Sequence, residues 1–452
     1  MFQHVPHDHA RCPHHSQACC THSCMPISRA TLLSSIPLTL TDIAMPRPMA
    51  VTAREGEART IRSLPLDTAF PVSEEKIYLS ICDSTVLAQP VRAAVDRFLD
   101  QVMYWREERS TRDSVVEATR AKFAALIGGQ EGDVAIVKNV SEGINAIATA
   151  FHWRPGDNVV LCASLEHPNN VIPWLHLKRR GVEVRIVPPS DGAIDPQQII
   201  ANIDEHTRVV TCSSVTFAPG LRTDLAPIGR ACRDRGVFFL VDAVQSVGIL
   251  RLNVEVESID GLVVSTAKGL LGLYGMGFLY CRRHWAQRLV PVYLSRPAVD
   301  LPPDRYSEMA SFKLEIRPDA RRFEVGSVDY ASCYAADAAL DLIFSIGPDV
   351  IEAHTLRLAD RMRRGLAALG LEVTGLKTHD RPSHIVTVGR LGCGGHEVTD
   401  DPWLRAISQR LKDASVAHTI RRGMLRFAFH IFNTDQEVDS VLALVASVKR
   451  PT

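Results

Sequence analysis

Between Asp133 and Arg283 the sequence alternates short apolar runs with stretches whose apolar residues recur at helical spacing. DVAIVKN precedes SEGINAIATAF, DNVVLCAS precedes NNVIPWLHLKRRG, VEVRIVPP precedes DPQQIIANI, and TRVVTCSSV precedes DLAPIGRACRDRG; VFFLVDA, DGLVVST and GMGFLYCRR close the series. Runs that are apolar throughout, without in–out alternation, are strands buried on both faces. Strands of that kind, most of them separated by helices, form a mostly parallel sheet covered on both sides. The expected class is therefore α/β, with binding groups at the carboxyl ends of the strands.

The flanks set the domain organisation. Residues 1–70 differ from the rest: the first 24 hold six histidines and four cysteines, and 25–70 are rich in Ser, Thr, Pro and Arg. A His/Cys tract can bind zinc, but no C-x2-C pair is present, so no metal site is assigned. This stretch is expected to be a disordered extension, or translated upstream sequence with Met45 or Met49 as the start. Residues 71–100 (a strand and turn, IYLSICDST, then a helix) are assigned to a small domain, 101–295 to a large one, and 296–452 to the C-terminal part of the small α+β domain. The 452 residues carry a formal net charge of zero, which gives no electrostatic case for nucleic acid or an anionic membrane. No apolar run reaches the ~20 residues that span a bilayer. Beyond the first 24 residues the cysteines are scattered singly, as in a reduced, cytoplasmic protein.

Lysine is scarce, nine against forty-two arginines. Lys268 lies in an apolar, Gly-rich stretch, after Ser265–Thr266 and before Gly269, Gly272, Gly275 and Gly277. Desolvation there lowers a lysine's pKa and makes it a Schiff-base nucleophile. Asp242 follows the apolar FFLV, so a buried strand delivers it, with Gln245 just beyond. A lysine with an acid on the preceding strand, able to pair with a pyridinium nitrogen, points to pyridoxal phosphate (PLP). Three segments are candidates for its phosphate: Val140–Ser141 at a helix start, Ser265–Thr266, and Gly326–Ser327 opening a later helix. His167 follows a strand and can stack on a flat ring or act as an acid/base. Arg426, inside the apolar strand MLRFAFHI, offers a fork for a substrate carboxylate or forms a structural ion pair.

In order, S-E-G-I-N (141–145), E-H-x-x-N (166–170), V-D-A-x-Q-S (241–246), S-x-x-K-G (265–269), R-F-E-x-G-S (322–327) and L-R-F-x-x-x-x-F-N-T (425–434) resemble the class V aminotransferases. This fold-type I PLP group holds cysteine desulfurases, selenocysteine lyases, isopenicillin N epimerase-like proteins and kynureninases. The resemblance runs from about residue 76 to 449 and implies a PLP-dependent transferase-like fold. It implies that Lys268 forms the Schiff base and shuttles the Cα proton, Asp242 pairs with the pyridine N–H, and Gln245 binds the phenolic oxygen. His167 would stack on the ring, Val140, Ser141 and Ser265 would hold the phosphate, and Ser327 would reach the phosphate of a neighbouring subunit in a homodimer. Arg426 would bind the substrate carboxylate.

The sequence departs from that pattern at three places. Ala267 stands where desulfurases commonly have a histidine, and Phe217 where many members have an asparagine. The region ASVAHTIRRGMLRF lacks the desulfurases' nucleophilic cysteine, and Cys393 lies well upstream. The expectation is an enzyme that acts on an amino acid or related amine through an external aldimine and Cα deprotonation. Transamination leads, with an epimerase or C–S lyase as alternatives. A non-catalytic PLP-fold binding protein is the rival from another class. A NAD-dependent dehydrogenase is disfavoured, because no G-x-G-x-x-G opens the first βα turn.

Overall fold

The computed structural model describes residues 69–106, 108–300, 314–375 and 382–450. The His/Cys-rich tract and the extension assigned to 1–70 fall almost wholly outside the described residues. In chain order the strands are β1 (Ile77–Tyr78), β2 (Val134–Val137), β3 (Asn158–Leu161), β4 (Glu183–Ile186), β5 (Thr207–Ser213) and β6 (Phe238–Asp242). Then follow β7 (Gly261–Ser265), β8 (Gly277–Cys281), β9 (Ile385–Val388), β10 (Val416–Ala417), β11 (Thr419–Arg421) and β12 (Met424–Ala428).

A seven-stranded sheet has the order β2-β8-β7-β6-β5-β3-β4. Only β8 runs antiparallel to its neighbours; the pairs β3–β4, β3–β5, β5–β6 and β6–β7 are parallel. The alternating pattern expected from the sequence is thus a mostly parallel sheet. Its central strands are apolar throughout because both faces are covered: β2, β3, β6 and β8 are buried at every position. The carboxyl ends of β2, β3, β5, β6 and β7 lie on one edge of this sheet, and all but the first enter loops rather than helices directly.

One face is closed by the helix Arg109–Ile127, where Phe123 stacks on Phe278 of β8 with centroids 4.0 Å apart. That helix stops at Gly128, whose φ of 69° lets its N–H turn back to the Ala124 and Ala125 carbonyls. Its Arg120 is fully buried, donating to the Val134 carbonyl at 2.8 Å and pairing with Glu324, which also accepts the Ile136 N–H at 2.9 Å. The R-F-E segment therefore ties this helix to β2. The helix Tyr330–Ile346 packs against Arg109–Ile127 and against Gln89–Met103, and its buried face joins the core beneath the large sheet.

The second sheet, β11-β12-β9, is antiparallel and packs against helices Pro348–Ala368, Pro402–Asp413 and Asp435–Ala446 around its own apolar cluster. β1 pairs with β10, and Ser80 bridges to Ala428, so the segment after β1 runs along the edge of this sheet toward the large one. No helix among the described residues is long and apolar enough to cross a membrane.

Candidate active site

A cavity of about 200 Å3 opens at the carboxyl ends of the large sheet's strands, and its lining includes Ser141, His167, Asp242, Gln245, Ser265 and Lys268. Four segments spread over more than a hundred residues thus meet where a parallel sheet positions a ligand. Val140, Asn139, Phe217 and Tyr274 complete much of the wall. A larger cleft of about 670 Å3 lies elsewhere, beside Gly128 and Leu250–Asn253. Its arginines are already paired, Arg222 with Glu352 at 2.8 Å and Arg251 with Asp349 at 2.9 Å, so the chemistry resides in the smaller cavity.

The helix Val140–Ala150 starts at the cavity. Its N-cap is Asn139, whose Oδ1 accepts the Glu142 N–H at 2.9 Å, and the Glu142 carboxylate accepts the Lys138 N–H. Capping falls to Asn139, so the Ser141 hydroxyl, one position into the helix, is left for a ligand. Gly143 lets the helix lie close on the sheet: a Cβ there would stand 2.9 Å from Val263 Cγ1. Free N–H groups and a hydroxyl at this helix start suit an anion.

Asp242 ends β6 in full burial, with Oδ1 accepting the Val244 N–H at 3.0 Å. Burial raises its pKa to about 6, against the pull of the Val244 N–H and of Lys268. Gln245 donates Nε2 to the Cys82 carbonyl at 3.0 Å, while its Oε1 is buried without a partner. Lys268 follows β7, and no described residue hydrogen-bonds or ion-pairs with its Nζ. Burial pushes its ammonium below the usual lysine range, and the Arg426 guanidinium adds to that.

His167 is oriented from behind. Its Nδ1 accepts the Asn169 N–H at 3.1 Å, and its ring meets Phe217 edge-on with centroids 4.9 Å apart. Burial, then the charges of Lys268, Arg421 and Arg426, lower its pKa to about 4. The flanking residues of E-H-x-x-N form a buried network. Glu166 accepts the Ser213 N–H at 2.7 Å, the Ser213 hydroxyl, and Asn170 Nδ2 at 2.9 Å; Asn170 Oδ1 accepts from Thr211 and Trp174. Burial raises the Glu166 pKa to about 7. In sequence the histidine stands out; the Glu and Asn at i and i+4 of the same motif carry the signal for this support.

Arg426 points from β12 toward the same region. It is fully buried, with Nε donating to Thr419 Oγ1 at 3.2 Å, Nη1 donating to the Phe217 carbonyl, and Nη2 without a partner. No carboxylate pairs with it among the described residues, whereas Arg421 on the neighbouring strand pairs with Asp83 and Glu397. Ser327 does not line this cavity. It belongs to a narrow cleft with Lys138 and Gly326, and the helix beyond it starts only at Tyr330, capped by Asp329. The expected helix start at Gly326–Ser327 thus falls three residues later, because the aspartate supplies the cap.

The residue set fits PLP on its own terms. A buried carboxylate, a lysine free of partners, an amide with an unmet acceptor and a helix start with a spare hydroxyl match the pyridine N–H, aldehyde, phenolic oxygen and phosphate. The placement of two residues was not legible in sequence. Phe217 occupies the wall between His167 and Arg426, its ring 5.2 Å from the Arg426 guanidinium carbon. The loop bearing Cys393, 28 residues from Arg421, folds against the β11–β12 turn, where Gly392 N–H donates to the Arg422 carbonyl at 2.9 Å.

Comparison with known proteins bears on the family and the fold. Residues 103–441 match the family described as Aminotransferase class-V. A probable cysteine desulfurase of Methanothermobacter thermautotrophicus is 32% identical over 316 residues, covering 68% of this chain and 76% of that protein. An uncharacterized aminotransferase of Bacillus subtilis is 26% identical over 381 residues, covering 84% of this chain and 96% of that protein. Among solved structures, the apo cysteine desulfurase of Thermococcus onnurineus superposes with a TM-score of 0.72 at 23% identity, covering 84% of this chain and 96% of that one. A cystine C–S lyase in complex with cysteine persulfide gives a TM-score of 0.74 at 20% identity, covering 84% of this chain and all of that one.

Proposed function

The chain belongs to the class V aminotransferases, which are PLP-dependent enzymes, and from that membership we propose that it transfers the amino group of an α-amino acid. The observation that carries the proposal is the guanidinium of Arg426: it lies behind Phe217 of the cavity wall rather than in the lining itself, fully buried, without a carboxylate partner among the described residues and with its Nη2 unsatisfied. A buried cation in that state is costly unless an anion completes it, and a substrate carboxylate supplies one.

PLP, when bound, supplies a conjugated ring that accepts the electron pair left at the substrate's Cα. Lys268 is its covalent anchor, and Asp242, Gln245, His167, Val140, Ser141 and Ser265 hold it. The Asp242 carboxylate, with one oxygen on the Val244 N–H, keeps a proton on the ring nitrogen. His167 stays neutral at working pH and, with Nδ1 accepting from Asn169, carries its proton on Nε2; it offers a flat, uncharged face. Arg426 fixes the substrate carboxylate, which sets the direction of the Cα–H bond. Lys268, whose ammonium burial disfavours, takes the proton from Cα.

Amino-group transfer needs one base on one face, whereas inversion at Cα needs a second proton donor on the other. Beyond Lys268 and Asp242, the proton-carrying groups on the described cavity wall include His167 and Tyr274; the low pKa of His167 makes it a poor partner for inversion, and Y274F assayed for inversion at Cα tests the tyrosine. The proposal includes a homodimer in the cytoplasm. Support comes from the exposed Leu99, Met103, Tyr104 and Trp105 at one helix end, and from the position of Ser327 outside the chain's own cavity, available to a partner's phosphate. The seven cysteines among the described residues are unbridged, in keeping with a reducing compartment. The division at residues 100 and 295 into a large and a small domain is likewise proposed, on the strength of the two sheets.

The test uses the purified protein with added PLP. Visible absorbance abolished by borohydride, with the cofactor mapped to Lys268, and keto-acid release from an amino-acid panel are expected; K268A should lose both attachment and turnover. A protein that takes up no PLP, or a K268A variant that retains turnover, overturns the reading. One observation favours a second reading: the exposed Cys393 sits on the loop packed against the β11–β12 turn, so sulfur transfer from cysteine to Cys393, yielding alanine and a Cys393 persulfide, belongs in the same panel. Mass spectrometry of the intact chain after cysteine turnover separates the two.

A further inference from the structure

The peptide after Gly269, one residue past Lys268, is clamped by a side chain from the segment that follows β12. The Gly269 carbonyl accepts His430 Nε2 at 2.9 Å. On its other side the same oxygen approaches residue 248 so closely that a Cβ there would stand 2.2 Å from it, and Gly248 has a φ of 93°. Gly269 itself has no room for a side chain, because its Cβ would lie 2.6 Å from the Val247 carbonyl oxygen. The carbonyls on either side of Lys268 are also taken: Ala267 accepts the Thr85 N–H at 3.0 Å, and Lys268 accepts the Leu271 N–H at 2.9 Å.

The donor role of His430 is fixed by its surroundings. Its Nδ1 accepts the Ile431 N–H at 2.7 Å, which leaves the ring proton on Nε2. The ring lies parallel to Phe432, with centroids 5.7 Å apart, and is fully buried. Burial lowers its pKa to about 4, so it is one neutral tautomer throughout the working range. A histidine in β12's extension, 162 positions from the lysine in sequence, thus has one stable hydrogen bond to offer, and it goes to the residue after Lys268.

We infer that His430 is a positioning residue for Lys268: by donating Nε2–H to the Gly269 carbonyl it fixes the Gly269–Leu270 peptide, one residue past the lysine, and with it the backbone that sets the place of Nζ in the cavity. The inference rests on the reading of Lys268 as the cofactor-bearing lysine. A packing role alone would need only a ring beside Phe432, which phenylalanine also provides. A positioning role needs the donor, which glutamine provides and phenylalanine does not.

The experiment compares wild type, H430F and H430Q as holoenzymes, following cofactor absorbance against pH and the rate of PLP loss to a trap. H430F is expected to shift the spectral midpoint by about half a unit or more and to release PLP about tenfold faster. Its kcat should fall by roughly 100-fold, the scale of an ångström-size misplacement, with KM little changed. H430Q is expected to restore midpoint and release rate. An H430F holoenzyme with wild-type midpoint and release rate overturns the inference, as does a folded H430Q that behaves like H430F. If H430F does not fold, H430L supplies the donor-free arm and H430Q still decides. Borohydride reduction of wild type that leaves Lys268 unlabelled would instead strike the reading of the site, independently of His430.

Discussion

Replacing Arg426 by methionine separates what the residue does for function from what it does for the fold. Its guanidinium is fully buried, donates to Thr419 and to the Phe217 carbonyl, and has no carboxylate beside it. If it binds the substrate carboxylate through a bidentate pair, losing charge-assisted bonds worth about 1.5–3 kcal/mol each removes roughly 3–6 kcal/mol. At about 1.4 kcal/mol per factor of ten, kcat/KM should fall by roughly 100- to 10,000-fold. KM should carry much of the loss, because the carboxylate is held before and during reaction alike. In the absence of substrate the sign reverses. A buried cation without a counter-charge is destabilising, and its removal offsets the hydrogen bonds to Thr419 and the Phe217 carbonyl that R426M gives up. R426M should therefore melt no lower than wild type, while losing the stabilisation that wild type gains from a saturating amino acid. The assays are steady-state kinetics and thermal melts with and without that ligand. An R426M protein that melts several degrees lower and keeps its kcat/KM would refute the reasoning and restore Arg426 to a structural role.

Glu166 should make the chain's stability depend on pH. Burial raises its pKa from 4.5 to about 7, so its contribution is full below about pH 4.5 and is lost as pH rises through 7; at roughly 1.4 kcal/mol per unit the swing is about 3 kcal/mol. E166Q should melt like wild type near pH 4.5 and above it at pH 8, and parallel melting curves would sink the assignment. E324A removes one of the two carboxylates on the buried Arg120, Glu117 remaining at 3.2 Å, and leaves the Ile136 N–H unsatisfied, so denaturant unfolding should show a loss of about 1–3 kcal/mol; an unchanged midpoint would contradict it. C393S should leave keto-acid formation unchanged, and its loss of sulfur release from cysteine, if any, would move the protein toward the sulfur-transfer reading.

The class of fold was readable because strands buried on both faces cannot hide their composition: FFLVD and LVVS admit few other placements. The meeting of Asp242, Lys268, Ser141 and His167 was readable for a related reason, since a parallel sheet delivers the ends of its strands to one edge. What the sequence could not disclose were contacts made between sheets. Phe217 stands out in sequence only as a departure from the family's asparagine, and its place shows when Arg426 is seen donating to its carbonyl; His430 reads as a strand histidine until Gly269 is placed against it.

The same distinction bears on the missing desulfurase cysteine. Its absence between Ala414 and Phe427 is a statement about position along the chain, and the tight β11–β12 turn gives it a physical form: the turn has no room for a loop. Yet the turn also carries a second segment on its back, with Gly423 so close to the Cys393 carbonyl that a Cβ at 423 would stand 2.1 Å from the oxygen. A loop that reaches the same place from another part of the chain could present a thiol that the motif order would never reveal. Sulfur chemistry here turns on whether the Cys393 thiol reaches the carboxylate site of Arg426, and the intact mass after cysteine turnover answers that directly.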